Sequence, residues 1–458
     1  MVASDVKSLV HNVKLSSVVP GKVTPNNTVH ELTSMDLAMK LHYLRGLYFF
    51  RSDAAQGLTN FDLKKPMAYW LELYPTASGR IRWSETERPV IKCNDSGIRI
   101  VEAQCDRSLD EWLAATKEDG GWELQDLLVH SEVLGPALGF SPMIYVQFTW
   151  FACGGICVGL SWAHVLGDAF AASSFINVWG QMMAGHAPPK PLHTLVPERP
   201  AYPAESGLGT APSTIKRVNP VGDCWLVVNN CKLATYSIHI TMQQLDHIMG
   251  KYGLFGESKT SHFELLSALI WKSLSKIRGD NGPKVVTVCE KNVRRELNPL
   301  PSNGMGLSRA EVNFLAAEAE VSDLARLIAE AVNENGSIEE MVEKDDGKLD
   351  YIAYGANLTF VNLEGADVYG LELKGRKPIF ANYTISGVGD EGVVLVLPGP
   401  GNGNEKGGGF GRTVTMVLPH AQMAQIRKEI NETWGLLPCP TDKATASDIE
   451  TSSASKDK

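Results

Sequence analysis

The sequence predicts an α/β protein of two domains, each a mixed sheet with helices, joined by a crossover loop. Three observations carry this. Runs that alternate with period two are interleaved along the chain with runs at helical spacing. A stretch with no period, broken by Pro188, Pro189, Pro191, Pro197, Pro200 and Pro203, falls near the middle. The second half then restarts the same mixture at similar size. With 458 residues, and roughly 100–200 residues per domain, two domains fit the length. The expected division is 1–186, a crossover at 187–220, a second domain at 221–440, and a polar, disordered tail at 441–458.

The elements follow in order. Lys14 to Pro20 reads as an opening strand. Thr33 or Ser34 caps a helix carrying Met35, Leu37, Ala38, Leu41, Leu44 and Leu47 on one side. A second helix precedes Leu73-Tyr74-Pro75. Short strands are predicted at Arg80 to Trp83, Val90 to Cys93 and Ile98 to Ala103. From Ser141 to Gly167 no residue is charged, as in a membrane span. A hairpin explains it better. Tyr145 to Cys153 is rich in aromatic and β-branched residues, Gly154-Gly155 suits a tight turn, and Ile156, Val158, Leu160 and Trp162 alternate. After Asp168, the spacing of Ala172, Phe175, Ile176 and Trp179 is helical, and Gly185 with Pro188-Pro189 ends that helix.

In the second half, Tyr236, Ile238 and Ile240 alternate as a strand. Thr241 with Gln244, and Ser261 with Glu264, are capping-box pairs that start helices to Tyr252 and Arg278. Strands are predicted at Val285 to Cys289, Ala356 to Leu363, Tyr383 to Ser386, Val393 to Leu397 and Val414 to Leu418. A helix from Gln422 to Thr433 ends the folded part.

Composition narrows the function. Hydrophobic residues are 44% and charged residues 21%, enough to bury a core without staples. Lys+Arg 43 against Asp+Glu 52 gives a net charge of -9, the wrong sign for a broad nucleic-acid surface. Cys 8 in such a chain is too sparse for a disulfide scaffold, and Met1 to Lys14 lacks an apolar signal region, so reduced thiols in the cytosol are expected.

Among residues that carry chemistry, Ser161 to Asp168 stands out. His164 leaves the hairpin strand on its apolar face, where a partly desolvated, neutral imidazole suits a general base. Asp168, four residues on, caps the following helix or holds the loop against a basic residue. The alternative is a satisfied core histidine beside an ordinary cap, and spacing alone favours that alternative. Zinc does not fit, because His164 and Asp168 lack a second nearby ligand and no His-Glu-x-x-His occurs. Pairing Cys153 with Ile156 and Cys157 with Ala152 would set the two thiols on opposite faces of the hairpin. Gly387 to Gly392 has the letters of a dinucleotide fingerprint, but a strand follows it, so it reads as a hairpin turn. The Gly399 to Gly411 stretch lacks a Gly-Lys-Ser/Thr ending and reads as a loop. Arg294 and Arg295 read as a solvated basic turn by composition, or, functionally, as a salt bridge that fixes a loop or a contact to a phosphate.

Together these residues resemble the BAHD family of acyl-CoA-dependent acyltransferases, from Leu15 to about Leu437. The markers are Leu73 to Arg80, Cys93 to Gly97, Cys153-Gly154-Gly155, and the HxxxD motif His164 to Asp168. Three positions depart: Ala163 stands where a second histidine is common, Ala169 where glycine is usual, and Asp367-Val368-Tyr369-Gly370-Leu371 where the family has Asp-Phe-Gly-Trp-Gly. The segments Met35 to Tyr43, Cys93 to Arg99, Tyr354 to Leu363, Asn382 to Ile385 and Gly387 to Asp390 resemble the eceriferum (glossy) branch of cuticular wax synthesis.

The resemblance implies two chloramphenicol-acetyltransferase-like domains around a solvent channel, with His164 and Asp168 as the catalytic pair and acyl-CoA as substrate or ligand. The sequence assigns no residues to acyl-CoA binding. The resemblance also implies work with a fatty-acid elongase condensing enzyme on very-long-chain acyl-CoA, at the cytosolic face of the endoplasmic reticulum, by a monomer without a membrane span. In an active transferase, His164 would take a proton from an acceptor hydroxyl or amine, and Asp168 would orient the loop through Arg294 or Arg295. In an accessory protein the fold would act on the elongase by contact, and the eroded second motif favours that role.

Overall fold

A computed structural model of the chain describes residues 9–116, 121–130, 138–186, 212–219, 221–222, 225, 227, 229–254, 260–291, 302–401 and 411–434. Most of the crossover at 187–220, the loop at 402–410, Arg294, Arg295 and the tail at 441–458 lie outside them.

Two sheets organise the fold. The first runs Val10–Val18, Ile98–Cys105, Ile144–Phe151, Ile156–Ala163, Tyr43–Phe50 and Phe380–Ser386 in spatial order. The second runs Leu233–Ile240, Arg412–Pro419, Val393–Pro398, Leu358–Asn362, Val285–Lys291, Met305–Glu311 and Val332–Asn333. Both are mixed, with parallel pairs at 98–105 with 144–151, at 285–291 with 358–362, and at 358–362 with 393–398. The expected α/β class with mixed sheets is what the chain adopts.

The central strands are buried on both faces, and this explains their continuous apolar runs. In Val393–Pro398, Val393, Leu395 and Leu397 join the larger core, while Val394 and Val396 join a second core. That second core centres on helix His262–Arg278, with Leu266, Ile270 and Trp271. Tyr43–Phe50 behaves alike: Leu44, Tyr48 and Phe50 face the larger core, Leu47 and Phe49 a smaller one.

This two-sided burial corrects one expectation. The helix starting at Thr33 has its capping box with Asp36, but it spans only Ser34–Ala38. Leu44 and Leu47 belong to the strand Tyr43–Phe50, not to that helix. An apolar run with no polar face carries no period-two signal, so Leu41, Leu44 and Leu47 mimic helical spacing. Gly46 is required there. A Cβ on it would lie 2.9 Å from the Tyr383 ring, whose hydroxyl meets Tyr48 at 2.5 Å.

Three further differences concern connections. Phe380–Ser386, from the second half, pairs with Tyr43–Phe50 in the first sheet. The Gly387 to Gly392 turn therefore carries the chain between sheets and closes no hairpin. Gly387 (φ 77) packs so tightly that a Cβ would lie 2.2 Å from the Leu41 carbonyl oxygen. In the Ile144–Phe151 and Ile156–Ala163 hairpin, Trp150 pairs with Ile156 and Cys157 with Thr149, so the loop is longer than a two-residue turn. Gly154 supplies the positive φ. Cys157 is buried, Cys153 is exposed, and both are free thiols. Finally, Met305–Glu311 and the helices Val321–Ala329 and Asn335–Lys344 occupy a region where the sequence reading placed no element. No described helix is long and apolar enough to cross a membrane.

Candidate active site

The strand Ile156–Ala163 ends in a single tight turn, His164–Leu166, before helix Ala169–Met183. The turn is fixed from several sides. The His164 N–H donates to the His42 carbonyl at 3.1 Å. The Trp162 indole donates to the Gly167 carbonyl at 2.9 Å. Gly167 has φ 143, and a Cβ on it would meet Ala171 Cβ at 2.8 Å and Ser302 N at 2.9 Å. Only glycine lets the loop at Ser302 approach so closely.

Asp168 is the N-cap of that helix. Its Oδ1 accepts from the Phe170 and Ala171 N–H groups at 3.0 and 3.1 Å. Its Oδ2 accepts from the Gly304 N–H at 2.9 Å. The Asp168 N–H donates to the Ser302 carbonyl at 3.3 Å. The carboxylate thus clamps a loop of the second half to a helix of the first. Burial pushes its pKa up, and these backbone N–H groups pull it down. The loop-fixing role expected of Asp168 is performed through backbone amides, while Arg294 and Arg295 lie outside the described residues. Asn303 extends the clamp: its Nδ2 donates to the His164 carbonyl at 2.9 Å and to Asp36 Oδ1 at 2.8 Å.

His164 is 1% exposed, more deeply buried than a half-desolvated wall position. Burial lowers its pKa to about 4, against an opposing pull from its own backbone and the Asn303 side chain. Its Nε2 lies 3.0 Å from the Tyr354 hydroxyl. Burial raises the Tyr354 pKa well above that of a free phenol, so the hydroxyl keeps its proton, and the tautomer of His164 sets which of the two groups donates.

His42, which no sequence motif marks, completes the cluster. Its ring centroid is 4.9 Å from Tyr354 and 6.4 Å from His164. Its Nε2 accepts from the backbone N–H groups of Ala353 and Tyr354 at 3.0 and 3.3 Å. That fixes its proton on Nδ1. Burial and the neighbouring His164 lower its pKa to about 3. His42 and Tyr354 sit in segments that carry the resemblance to the eceriferum branch, but no local pattern marks their side chains. Their contacts with His164 join residues far apart in sequence.

The degenerate second motif packs against the helix Asp168 starts. Asn177 Nδ2 donates to the Asp367 carbonyl at 2.8 Å. Val368 and Leu371 are fully buried. Leu371 fills space over Gly180, where a Cβ would come within 2.8 Å of it. The Tyr369 hydroxyl accepts from the Ala381 N–H at 3.3 Å and donates to the Ala381 carbonyl at 3.4 Å, holding the strand Phe380–Ser386. Gly370 is needed where it stands, since a Cβ would lie 2.1 Å from Asp367 Oδ2.

Comparison with known proteins places this geometry in a lineage. The model of the Transferase family matches residues 9–433. The chain is 42% identical to Protein ECERIFERUM 2 of Arabidopsis thaliana over 441 residues, covering 92% of this chain and 98% of that protein. It is 37% identical to Protein ECERIFERUM 26 of the same plant, covering 93% and 96%. Among solved structures, vinorine synthase aligns with a TM-score of 0.67 at 18% identity, covering 91% of this chain and 96% of that one. At that identity the likeness concerns the fold.

Proposed function

The chain belongs to the BAHD-type transferase family, in its eceriferum-like branch, and from that premise we propose that it serves cuticular wax synthesis as a partner of the fatty-acid elongase. It binds very-long-chain acyl-CoA or the condensing enzyme that uses it, at the cytosolic face of the endoplasmic reticulum, and raises the chain length of the product. The observation that carries this is the state of His164. A general base works best with a pKa near the working pH. An imidazole 1% exposed and lowered to about 4 is a weak base out of reach of solvent. The test is co-expression with a condensing enzyme in a wax-free host. Longer acyl products are expected, and they should survive His164→Ala. Loss of lengthening in a folded, partner-bound His164→Ala protein would overturn the accessory role.

The second reading is an acyl-CoA-dependent O- or N-acyltransferase with His164 as base. The intact Asp168 clamp favours it, because the loop that presents His164 is held as a catalytic loop would be. New esters or amides formed by the chain alone, and abolished by His164→Ala, would establish it.

A further inference from the structure

The Tyr354 hydroxyl stands where a transferase of this kind needs its acceptor. We propose that Tyr354 is the residue that excludes acceptors from His164, its phenol filling the hydrogen-bond position at Nε2 that an alcohol, amine or water must take to be deprotonated. This rests on the reading that His164 is idle, and it names the group that makes it so.

The geometry is specific. The hydroxyl is 3.0 Å from Nε2, and the two rings lie 5.3 Å apart by centroid. Tyr354 is 1% exposed, so the phenol and the ring nitrogen it meets are shut off from bulk solvent. Its backbone is held at both polar atoms: the N–H by His42 Nε2, and the carbonyl by the Gly389 N–H at 2.9 Å. Gly355 follows with φ 82, and a Cβ on it would lie 2.5 Å from the Gly389 carbonyl oxygen. The bend that turns the phenol inward therefore depends on glycine. His42 contributes as a positioning residue: as a neutral acceptor of two backbone N–H groups it fixes the segment without competing for His164.

Removing the phenol should leave a hole beside a base that is otherwise in place. A small acceptor entering it would give its proton to Nε2 while its oxygen attacks the thioester carbonyl of an acyl-CoA. The C–S bond breaks, and the leaving thiolate takes the proton back from His164. With water the products are the free fatty acid and coenzyme A; with an alcohol, the ester and coenzyme A.

The experiment uses the purified full chain and two probes. Diethyl pyrocarbonate reports access to His164 through modification of its peptide, read by mass spectrometry. Release of thiol from a long-chain acyl-CoA reports turnover. The wild type should resist modification at His164. Tyr354→Gly should be modified at least tenfold faster, added phenol should refill the hole and protect it, and thiol release should rise and vanish in Tyr354→Gly with His164→Ala. Tyr354→Phe guards against misfolding, since it keeps the ring. There the His164 titration, followed by NMR, should shift, because the hydrogen-bond partner of Nε2 has been removed. Rapid modification of His164 in the folded wild type would overturn the proposal, as would an unchanged titration in Tyr354→Phe. Chain lengthening in the co-expressed host is a separate readout, so this proposal can fail while the accessory role stands.

Discussion

The two ends of helix Ala169–Met183 present opposite relations between motif and structure. At its start, His164 and Asp168 keep the letters of the family, yet His164 is sealed beneath Tyr354. Toward its other end, Asp367 to Leu371 keeps only the aspartate of the family's letters, yet Val368 and Leu371 are fully buried and Tyr369 ties down a strand of the first sheet. The retained motif is a clamp whose base is covered, and the eroded motif is a repacked core. A letter pattern thus reports ancestry more directly than use. The largest test of this contrast is Leu371→Ala. Emptying a fully buried leucine site over Gly180 should cost about 3 kcal/mol in a denaturant titration. A loss below about 1 kcal/mol would mean that the eroded end is loose after all.

Asp168→Ala comes next, and it tests the retained end. It removes a helix cap and leaves the Gly304 N–H buried without its partner, so a loss of about 2 kcal/mol is expected. Asp168→Asn should recover part of this, since the amide oxygen still accepts. An unaltered melting temperature in Asp168→Ala would show that the carboxylate is not the clamp.

How much of this was legible in the sequence depended on whether the signal was local. The helices begun by Thr241 with Gln244 and by Ser261 with Glu264 are where their capping boxes place them. Asp168 as a cap was readable for the same reason. Tyr43–Phe50 was not, because burial on both faces erases period two. The hairpin register slipped because Ala152 and Cys153 continue the apolar run past the end of the strand at Phe151. The contacts that define the site, His164 with Tyr354 and His42 with Ala353, span 190 and 311 positions, and no pattern along the chain encodes them.

A third prediction uses acid. The folded pKa of His164 is about 4 and that of His42 about 3, both below the ordinary value of 6.5. Between those limits the unfolded chain binds more protons, so stability rises with pH. It is fully present above about pH 6.5 and is lost as pH falls toward 4, by up to about 1.4 kcal/mol per pH unit for each group. His164→Gln should flatten that slope relative to the wild type in urea titrations at pH 7, 6 and 5. Parallel curves would mean that His164 is not buried neutral.

The smallest expected effect is at Tyr369, and it separates packing from polar bracing at the eroded end. Its hydroxyl makes two long hydrogen bonds to Ala381, whose chain neighbour Asn382 pairs with Leu47 in the first sheet. Tyr369→Phe keeps the ring and deletes only these bonds, so about 0.5–1 kcal/mol should be lost, with two backbone groups of Ala381 left to find other partners. Tyr369→Ala should lose more, since the ring goes too. If Phe costs as much as Ala, the hydroxyl and not the ring is what the replaced motif contributes, and the eroded end would be a polar brace like the Asp168 clamp. If Phe costs nothing measurable, that end is held by apolar packing alone, and the contrast between the two ends of the helix becomes sharper.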